Sequence, residues 1–301
     1  MDPGISLMHK PIGPTSFTLV KACIDELKLK QPHRRARVCH GGTLDPFASG
    51  LLLMLTGSGT RLFDYLHAVP KVYHTTVKWG VETDNGDLNG AVLFRGDESV
   101  IHQLSPEKLD DALQQFLGWH EQVPPATSAK RIDGERAYLK AHRGEKVDMP
   151  AARVYMHSAR WLSHDLPNAS RVEIIVRGGY YVRAFARDLG KILNVGAHLS
   201  ELHRVSIGPW NDPGEGVVTA LHGREILPWA KSRILSDQDV GDLRHGQTIR
   251  VAEVLPPDWK LPDGFPEEPM PIRGYHQNRL VFLLEPSEQR LKAVIELPGG
   301  L

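Results

Sequence analysis

Asp45 is the residue whose surroundings are most unusual. It lies in Cys39-His40-Gly41-Gly42-Thr43-Leu44-Asp45-Pro46-Phe47-Ala48-Ser49-Gly50, between a two-glycine approach and a proline. Glycine lets a backbone bend and come close to a ligand. A following proline biases its predecessor toward extended conformations and away from helix. The segment therefore presents a carboxylate at a fixed bend, where a bound molecule can reach it. Asp before Pro is also ordinary turn chemistry, so the stretch alone leaves both readings open.

Other chemical signals are weaker. Gly57-Ser58-Gly59-Thr60 resembles half a nucleotide-binding loop but lacks the third glycine and a P-loop lysine. Fifteen histidines invite a metal, yet the chain holds no H-E-x-x-H and no paired C-x-x-C. Cys39-His40 is too isolated for a zinc site. Cys39 reads as a structural thiol rather than a nucleophile.

The elements that must position Asp45 follow from periodicity. Ser16 is placed to cap a helix through Phe17, Val20, Ile24 and Leu27, which recur at spacings of three and four. Residues 31–38 form a basic loop opened by Pro32. Leu51 to Leu55 reads as buried core, too short for a membrane span. Val72 to Val81 reads as a strand and Asp84-Asn85-Gly86-Asp87 as a turn. Ser105-Pro106-Glu107 starts a helix with apolar positions Leu109, Leu113, Phe116 and Leu117. Residues 120–150, polar and basic with several Pro and Gly, read as an excursion from the core holding a short helix over 136–142. Arg171 to Val176 reads as a strand, and after Gly178-Gly179 a helix runs from Val182 to Leu193. Beyond about residue 235, two apolar runs, 280–284 and 291–295, look like strands of a small β unit.

Composition bounds the class. A chain of 301 residues with 41% apolar content fits one large or two unequal domains. No run of about 18 apolar residues occurs, and Met1 to Lys10 lacks a signal-peptide pattern. Two cysteines do not make a secreted disulfide framework, so a cytoplasmic setting is expected. Net charge is zero, which argues against a general nucleic-acid coat. Its distribution is uneven. Residues 28–37 carry Lys28, Lys30, Arg34, Arg35 and Arg37 with no acid; residues 129–191 carry thirteen basic against seven acidic side chains; residues 251–301 carry five against eight.

His40 to Gly50 resembles the catalytic signature of the TruB-type pseudouridine synthases, H-x-G-T/A-L-D-P-x-A-T/S-G. Further blocks follow in that family's order. They are Lys10-Pro11-Ile12-Gly13-Pro14-Thr15-Ser16, Lys71-Val72-Tyr73, and Thr83-Asp84 through Asp87 to Gly90. Then come Pro124-Pro125 with Ser128-Ala129-Lys130, Gly134 and Ala137-Tyr138; Gly179-Tyr180-Tyr181-Val182-Arg183 with Asp188-Leu189-Gly190; and Gly196-Ala197-His198-Leu199 with Leu202-His203-Arg204. The resemblance spans roughly residues 9–210. Departures are Ala126-Thr127, Tyr180, His74, and His203 in place of the first Arg of L-R-R.

The resemblance implies an α+β catalytic domain over residues 1–230, with a mainly antiparallel mixed sheet, a central cleft and an RNA-gripping insertion at about 120–150. A small β-rich, PUA-like domain over 231–301 would follow. It implies isomerisation of the T-loop uridine of tRNA, the position-55 type, by base flipping, without cofactor or metal. Asp45 would be the catalytic carboxylate, working either as a nucleophile at C1′ or by assisting elimination at C2′. Arg183 would brace it and favour its charged form. Tyr73 would hold the flipped base, with Tyr181 and Leu202 lining the uracil pocket. His40 would fill the vacated stack. Lys10 is a motif residue for structure or phosphate. Lys130, Arg131 and Arg136 would lie on the RNA backbone. No obligate protein partner is expected. Two other readings are a tRNA-folding chaperone, which would not need Asp45, and a subunit of a guide-RNA particle, which would be inactive on naked tRNA. The 120–150 excursion favours the stand-alone branch.

Overall fold

The computed structural model describes residues 3–30, 36–128, 130–132, 134–143, 145 and 147–301. The chain divides into two compact units, one formed by residues 1–46, 50–69 and 208–301, the other by 47–49 and 70–207.

In the first unit, strand Gly4–Lys10 runs antiparallel between Ser49–Thr56 and Val218–Leu221. Strand Val38–His40 pairs with the other edge of Ser49–Thr56. The apolar run Leu51 to Leu55 is fully buried, as its unbroken hydrophobicity requires. Helix Ser16–Lys30 covers this sheet with Val20 and Cys23 against Leu52 and Met54. Its start differs from the sequence reading. Thr15 does the capping, accepting the Thr18 N–H at 3.0 Å, and Ser16 is the first helical residue. Phe17 stands 56% exposed instead of joining the buried stripe. At 100° per residue that stripe centres on Ser16, Val20 and Cys23, which leaves Phe17 on its flank.

Gly57-Ser58-Gly59-Thr60 opens a 3₁₀ helix, Gly57–Leu66. A Cβ at Gly59 would lie 2.3 Å from the Gly4 carbonyl oxygen, so this glycine serves backbone packing.

The same unit carries a five-stranded sheet in the order Ser232–Ile234, Ile272–His276, Arg279–Ser287, Arg290–Glu296, Ile249–Arg250. Only its first pair is parallel. Leu235, Phe282, Leu284 and Leu291 pack its core with Val240 and Leu243 of helix Asp237–Arg244. Ser236 and Asp239 cap that helix reciprocally. The sequence reading found the two long strands here and missed the helix.

In the second unit the strand order is Ala197–Ile207, Lys71–Trp79, Ala169–Val176, Ala152–Asp165, Gly118–Gln122, with every pair antiparallel. Helix Val182–Ile192 packs on Ala197–Ile207. Gly190 permits this approach, since a Cβ there would lie 2.4 Å from the Ala197 nitrogen. Helix Pro106–Gln114 is capped by Ser105 and buries Leu109 and Leu113. Phe116 meets Phe185 edge to face at 5.0 Å. Leu117, expected on that buried face, is 38% exposed, because the helix ends at Gln114 and the chain turns. Strands Arg131–Ile132 and Glu135–Arg136 form a small hairpin before helix Ala137–His142. No helix among the described residues is long and apolar enough to cross a membrane.

Candidate functional site

Asp45 sits half-buried in irregular backbone between strands Val38–His40 and Ser49–Thr56. No ladder holds such a segment, so its position depends on contacts from elsewhere. Ser16 supplies two. Its hydroxyl donates to the Leu44 carbonyl at 3.1 Å and accepts the Leu44 N–H at 2.9 Å. Gly13 N–H donates to the Pro46 carbonyl at 2.8 Å. Lys10 is fully buried; its ammonium donates to the Pro11 carbonyl at 2.9 Å and reaches the Pro46 carbonyl at 3.5 Å. The residues on both sides of Asp45 are thus tied to one segment, Lys10 to Ser16. Lys10 works here as a brace.

His40 ends its strand and accepts the Gly42 N–H at its Nδ1, 3.4 Å. That is the turn-histidine arrangement. At Gly41, a Cβ would lie 3.0 Å from that of Leu53, which accounts for one of the two glycines.

The second unit holds the other expected residues. Tyr73 on Lys71–Trp79 is opposite Arg204, and Leu202 is opposite Thr75 two places along. Tyr73 and Leu202 therefore lie diagonally on one face of the ladder, within reach of each other. Both are buried.

Tyr181 precedes helix Val182–Ile192, and its N–H donates to Gln122 Oε1 at 2.8 Å. Gln122, at the end of a strand, thereby satisfies the N–H of the residue at the N-cap position of this helix. Arg183 is buried at 6% exposure; its Nη1 donates to the Asn85 carbonyl and to Thr127 Oγ1, each at 2.7 Å.

The turn that receives Arg183 is built for it. Asp87 N–H donates to Asn85 Oδ1 at 2.9 Å, and Ala91 N–H to Asp84 Oδ1 at 2.9 Å. A Cβ at Gly90 would fall 2.2 Å from Asn85 Oδ1. Gly86, at φ +76°, faces Arg183, whose Cβ would be 3.0 Å from its own. The glycines of Thr83 to Gly90 leave room for the Asp84 carboxyl, the Asn85 amide and the Arg183 Cβ and backbone.

Asn85, Thr127 and Gln122 were missed as site residues. Asn85 acts through its backbone, which sequence does not advertise. Thr127 had a signal, since it is a departure from the family pattern. Gln122 is a polar residue ending a strand just before Pro124-Pro125. Two other departures face each other, His203 opposite His74. His203 Nδ1 is 3.0 Å from Ser49 Oγ, and His74 Nε2 is 2.8 Å from Glu173 Oε2.

Lys71, two residues from Tyr73, is buried with Arg204. Burial, and then the charges of Arg204 and Arg177, push its ammonium from 10.5 down to about 7. Burial also raises the Tyr180 phenol well above its usual 10, with Asp188 adding to the effect. Lys130 Nζ donates to the Pro150 carbonyl at 3.3 Å. Arg131 and Arg136 face each other across the small hairpin, and their side chains lie outside the described residues. Among the described residues no group of His, Cys, Asp and Glu is arranged to hold a metal ion.

Residues 30–182 match the model of the TruB family pseudouridylate synthase N-terminal domain. The chain is 30% identical to tRNA pseudouridine synthase B of Leifsonia xyli subsp. xyli, over 98% of this chain and 97% of that protein. It is 37% identical to the enzyme of the same name from Aquifex aeolicus, over 68% of each. A chain in the crystal structure of a Cbf5-Nop10-Gar1 complex shares the fold, with a TM-score of 0.65 and 20% identity over 99% of this chain and 84% of that one.

Two outcomes follow from these contacts. Ser16→Ala strands the buried Leu44 amide and carbonyl, costing about 1–3 kcal/mol. Hydrogen exchange should show faster exchange at Leu44, with the sheet core unchanged; unchanged protection at Leu44 would refute the tether. For Lys71, the unfolded chain binds more protons than the folded one between pH 7 and 10.5. Stability from this group therefore falls as pH drops from 10.5 toward 7. Lys71→Met should remove that slope, seen as a wild-type minus variant difference in urea unfolding at pH 7 and pH 10; equal differences at both would contradict it.

Proposed function

The chain belongs to the TruB family of pseudouridylate synthases, and from that premise we propose that it isomerises the T-loop uridine of tRNA, the position-55 type. The observation that carries the reading is the Asp45 loop. A half-buried carboxylate lies inside the family's matched region, with its flanking peptides anchored by Lys10, Gly13 and Ser16. The names of the two bacterial relatives support tRNA as the substrate.

The reaction breaks the C1′–N1 bond, turns the base and joins C5 to C1′. C5 loses its proton and N1 gains one, so atoms balance without a co-reactant. Asp45 starts it, by attack on C1′ or by taking the C2′ proton. A uridine within a folded loop must first be extruded, at a cost of a few kcal/mol. Tyr73 and Leu202, side by side on one sheet face, offer the apolar and aromatic surface that a detached base needs. Tyr181 shares that lining. Arg183 favours the ionised form of Asp45, and its bonds to Asn85 and Thr127 fix where its charge is held. His40 fills the gap left in the base stack, and Lys130, Arg131 and Arg136 grip the backbone.

Residues 1–230 would form the catalytic domain and 231–301 a PUA-like domain. Two cysteines are too few for a secreted disulfide framework, which supports a cytoplasmic setting.

Asp45→Asn should abolish pseudouridine formation in unmodified tRNA transcript and keep binding within about tenfold, or about 1.4 kcal/mol. Mapping of pseudouridine in the treated transcript checks this; near-normal turnover would remove Asp45 from the chemistry. Wild-type binding without any product would instead favour the chaperone, and activity only with a co-purified guide particle the subunit reading. Tyr73→Ala should lower turnover far more than affinity, read from single-turnover rates at saturating enzyme. An unchanged rate would count against a base-holding role.

A further inference from the structure

Large apolar side chains that a fold leaves in water next to an anchored functional loop call for an explanation. Ile12 is 69% exposed and Phe17 56%. Both belong to the segment that holds the Asp45 loop. Ile12 immediately precedes Gly13, whose N–H binds the Pro46 carbonyl; Phe17 immediately follows Ser16, whose hydroxyl binds both polar groups of the Leu44 backbone. The two are therefore carried by the same hydrogen bonds that position Asp45. Pro11 and Pro14 bracket Ile12 and restrict the backbone on either side of it.

The chemistry of this patch is mixed in a particular way. Lys21 Nζ lies 5.1 Å from the centre of the Phe17 ring. Phe17, Lys21 and Lys28 fall within about 40° of one another around the helix, on its exposed side. The sequence just beyond continues with the acid-free basic stretch 28–37. An aromatic face beside lysines suits a partner with flat bases and a phosphate backbone.

Extruding one nucleotide opens the stack on both sides of it, and His40 occupies only the vacated place, so other unpaired bases of the loop keep a face open. Unpaired RNA bases stack on aromatic side chains and are recognised in that way. We propose that Ile12 and Phe17 form a lip of the Asp45 loop that packs against the unpaired bases flanking the extruded nucleotide, while Lys21 takes an adjacent phosphate. The inference rests on the RNA-modifying reading above and adds the surface by which the loop's neighbours are held.

The test uses the full-length protein and an unmodified T-arm hairpin with 2-aminopurine beside the target uridine. Affinity, the salt dependence of affinity, 2-aminopurine fluorescence and pseudouridine formation are measured for the wild type and for Phe17→Ser, Phe17→Tyr, Ile12→Ser and Lys21→Ala. Phe17→Ser should weaken binding about tenfold, within the range of one base stack, and abolish the fluorescence change. Phe17→Tyr, which keeps the ring, should behave as wild type. Ile12→Ser should weaken binding severalfold. Lys21→Ala should lower the salt slope by about one. These side chains are exposed, so the variants should fold, which circular dichroism verifies. An active wild type with Phe17→Ser and Ile12→Ser binding within twofold of it overturns the lip and leaves the proposed function standing. Equal losses in Phe17→Ser and Phe17→Tyr also overturn it, since ring stacking would not be the cause. A wild type that binds the hairpin through Phe17 but forms no pseudouridine overturns the function and keeps the lip. A wild type that does neither overturns both.

Discussion

The Ser16 hydroxyl on the Leu44 backbone is the contact on which this site depends. A carboxylate on a helix or strand inherits its position from a hydrogen-bonded ladder. Asp45 has none, because Gly41-Gly42 before it and Pro46 after it keep the segment out of both. Each side of the residue must be fixed through side chains or isolated amides. The segment Lys10 to Ser16 does this at Leu44 and Pro46. The arrangement also explains why Lys10 is fully buried. A buried ammonium needs close acceptors, and the carbonyls of Pro11 and of Pro46 in the loop supply them.

A similar economy appears around Arg183. Burying a guanidinium is costly unless its donors are met. The turn after Thr83 meets Nη1 with a backbone carbonyl, and Thr127 adds a hydroxyl to the same nitrogen. Gly90 and Gly86 matter because the space that a Cβ would take is filled by Asn85, Asp84 and Arg183. The glycines in this motif are there for neighbours. The same holds at Gly190, where the helix carrying Arg183 comes down on its strand.

Much of the fold could be read from periodicity, and the failures have identifiable causes. The buried run Leu51–Leu55, though not its strand, the Ser105-capped helix and the two long C-terminal strands were all evident, because continuous apolar runs and a Ser-Pro start are local signals. Strand Ala197–Ile207 was not read as a strand, although it carries Leu202 and Arg204. Its sequence, Ala-His-Leu-Ser-Glu-Leu-His-Arg-Val-Ser-Ile, shifts register twice against Lys71–Trp79, between Leu199 and Glu201 and between Arg204 and Ser206, so the alternation is hidden. Strand Ala152–Asp165 was missed for a similar reason, since its register shifts twice and the apolar residues change faces. The Ser16 misassignment shows the limit of cap rules. Thr15 and Ser16 are both good caps, and only the tertiary need at Leu44 decides which hydroxyl is released from helix duty.

The site was legible as residue types and not as supports. Asp45, Tyr73 and Arg183 stand in motifs whose spacing sequence reports. What holds them is written in groups with no sequence signature: the Asn85 carbonyl, the Gly13 amide, the Leu44 peptide. A hydroxyl such as that of Thr127 registers only as a departure from the family's pattern, and its meaning emerges when Arg183 is found on it. The paired departures His74 and His203 follow the same logic. Each exchanges the long reach of arginine for a short imidazole, and each finds a partner close at hand, Glu173 for one and Ser49 for the other. Ser49 opens the strand that follows the Asp45 loop, so this exchange places an imidazole beside a hydroxyl where the backbone re-enters a ladder.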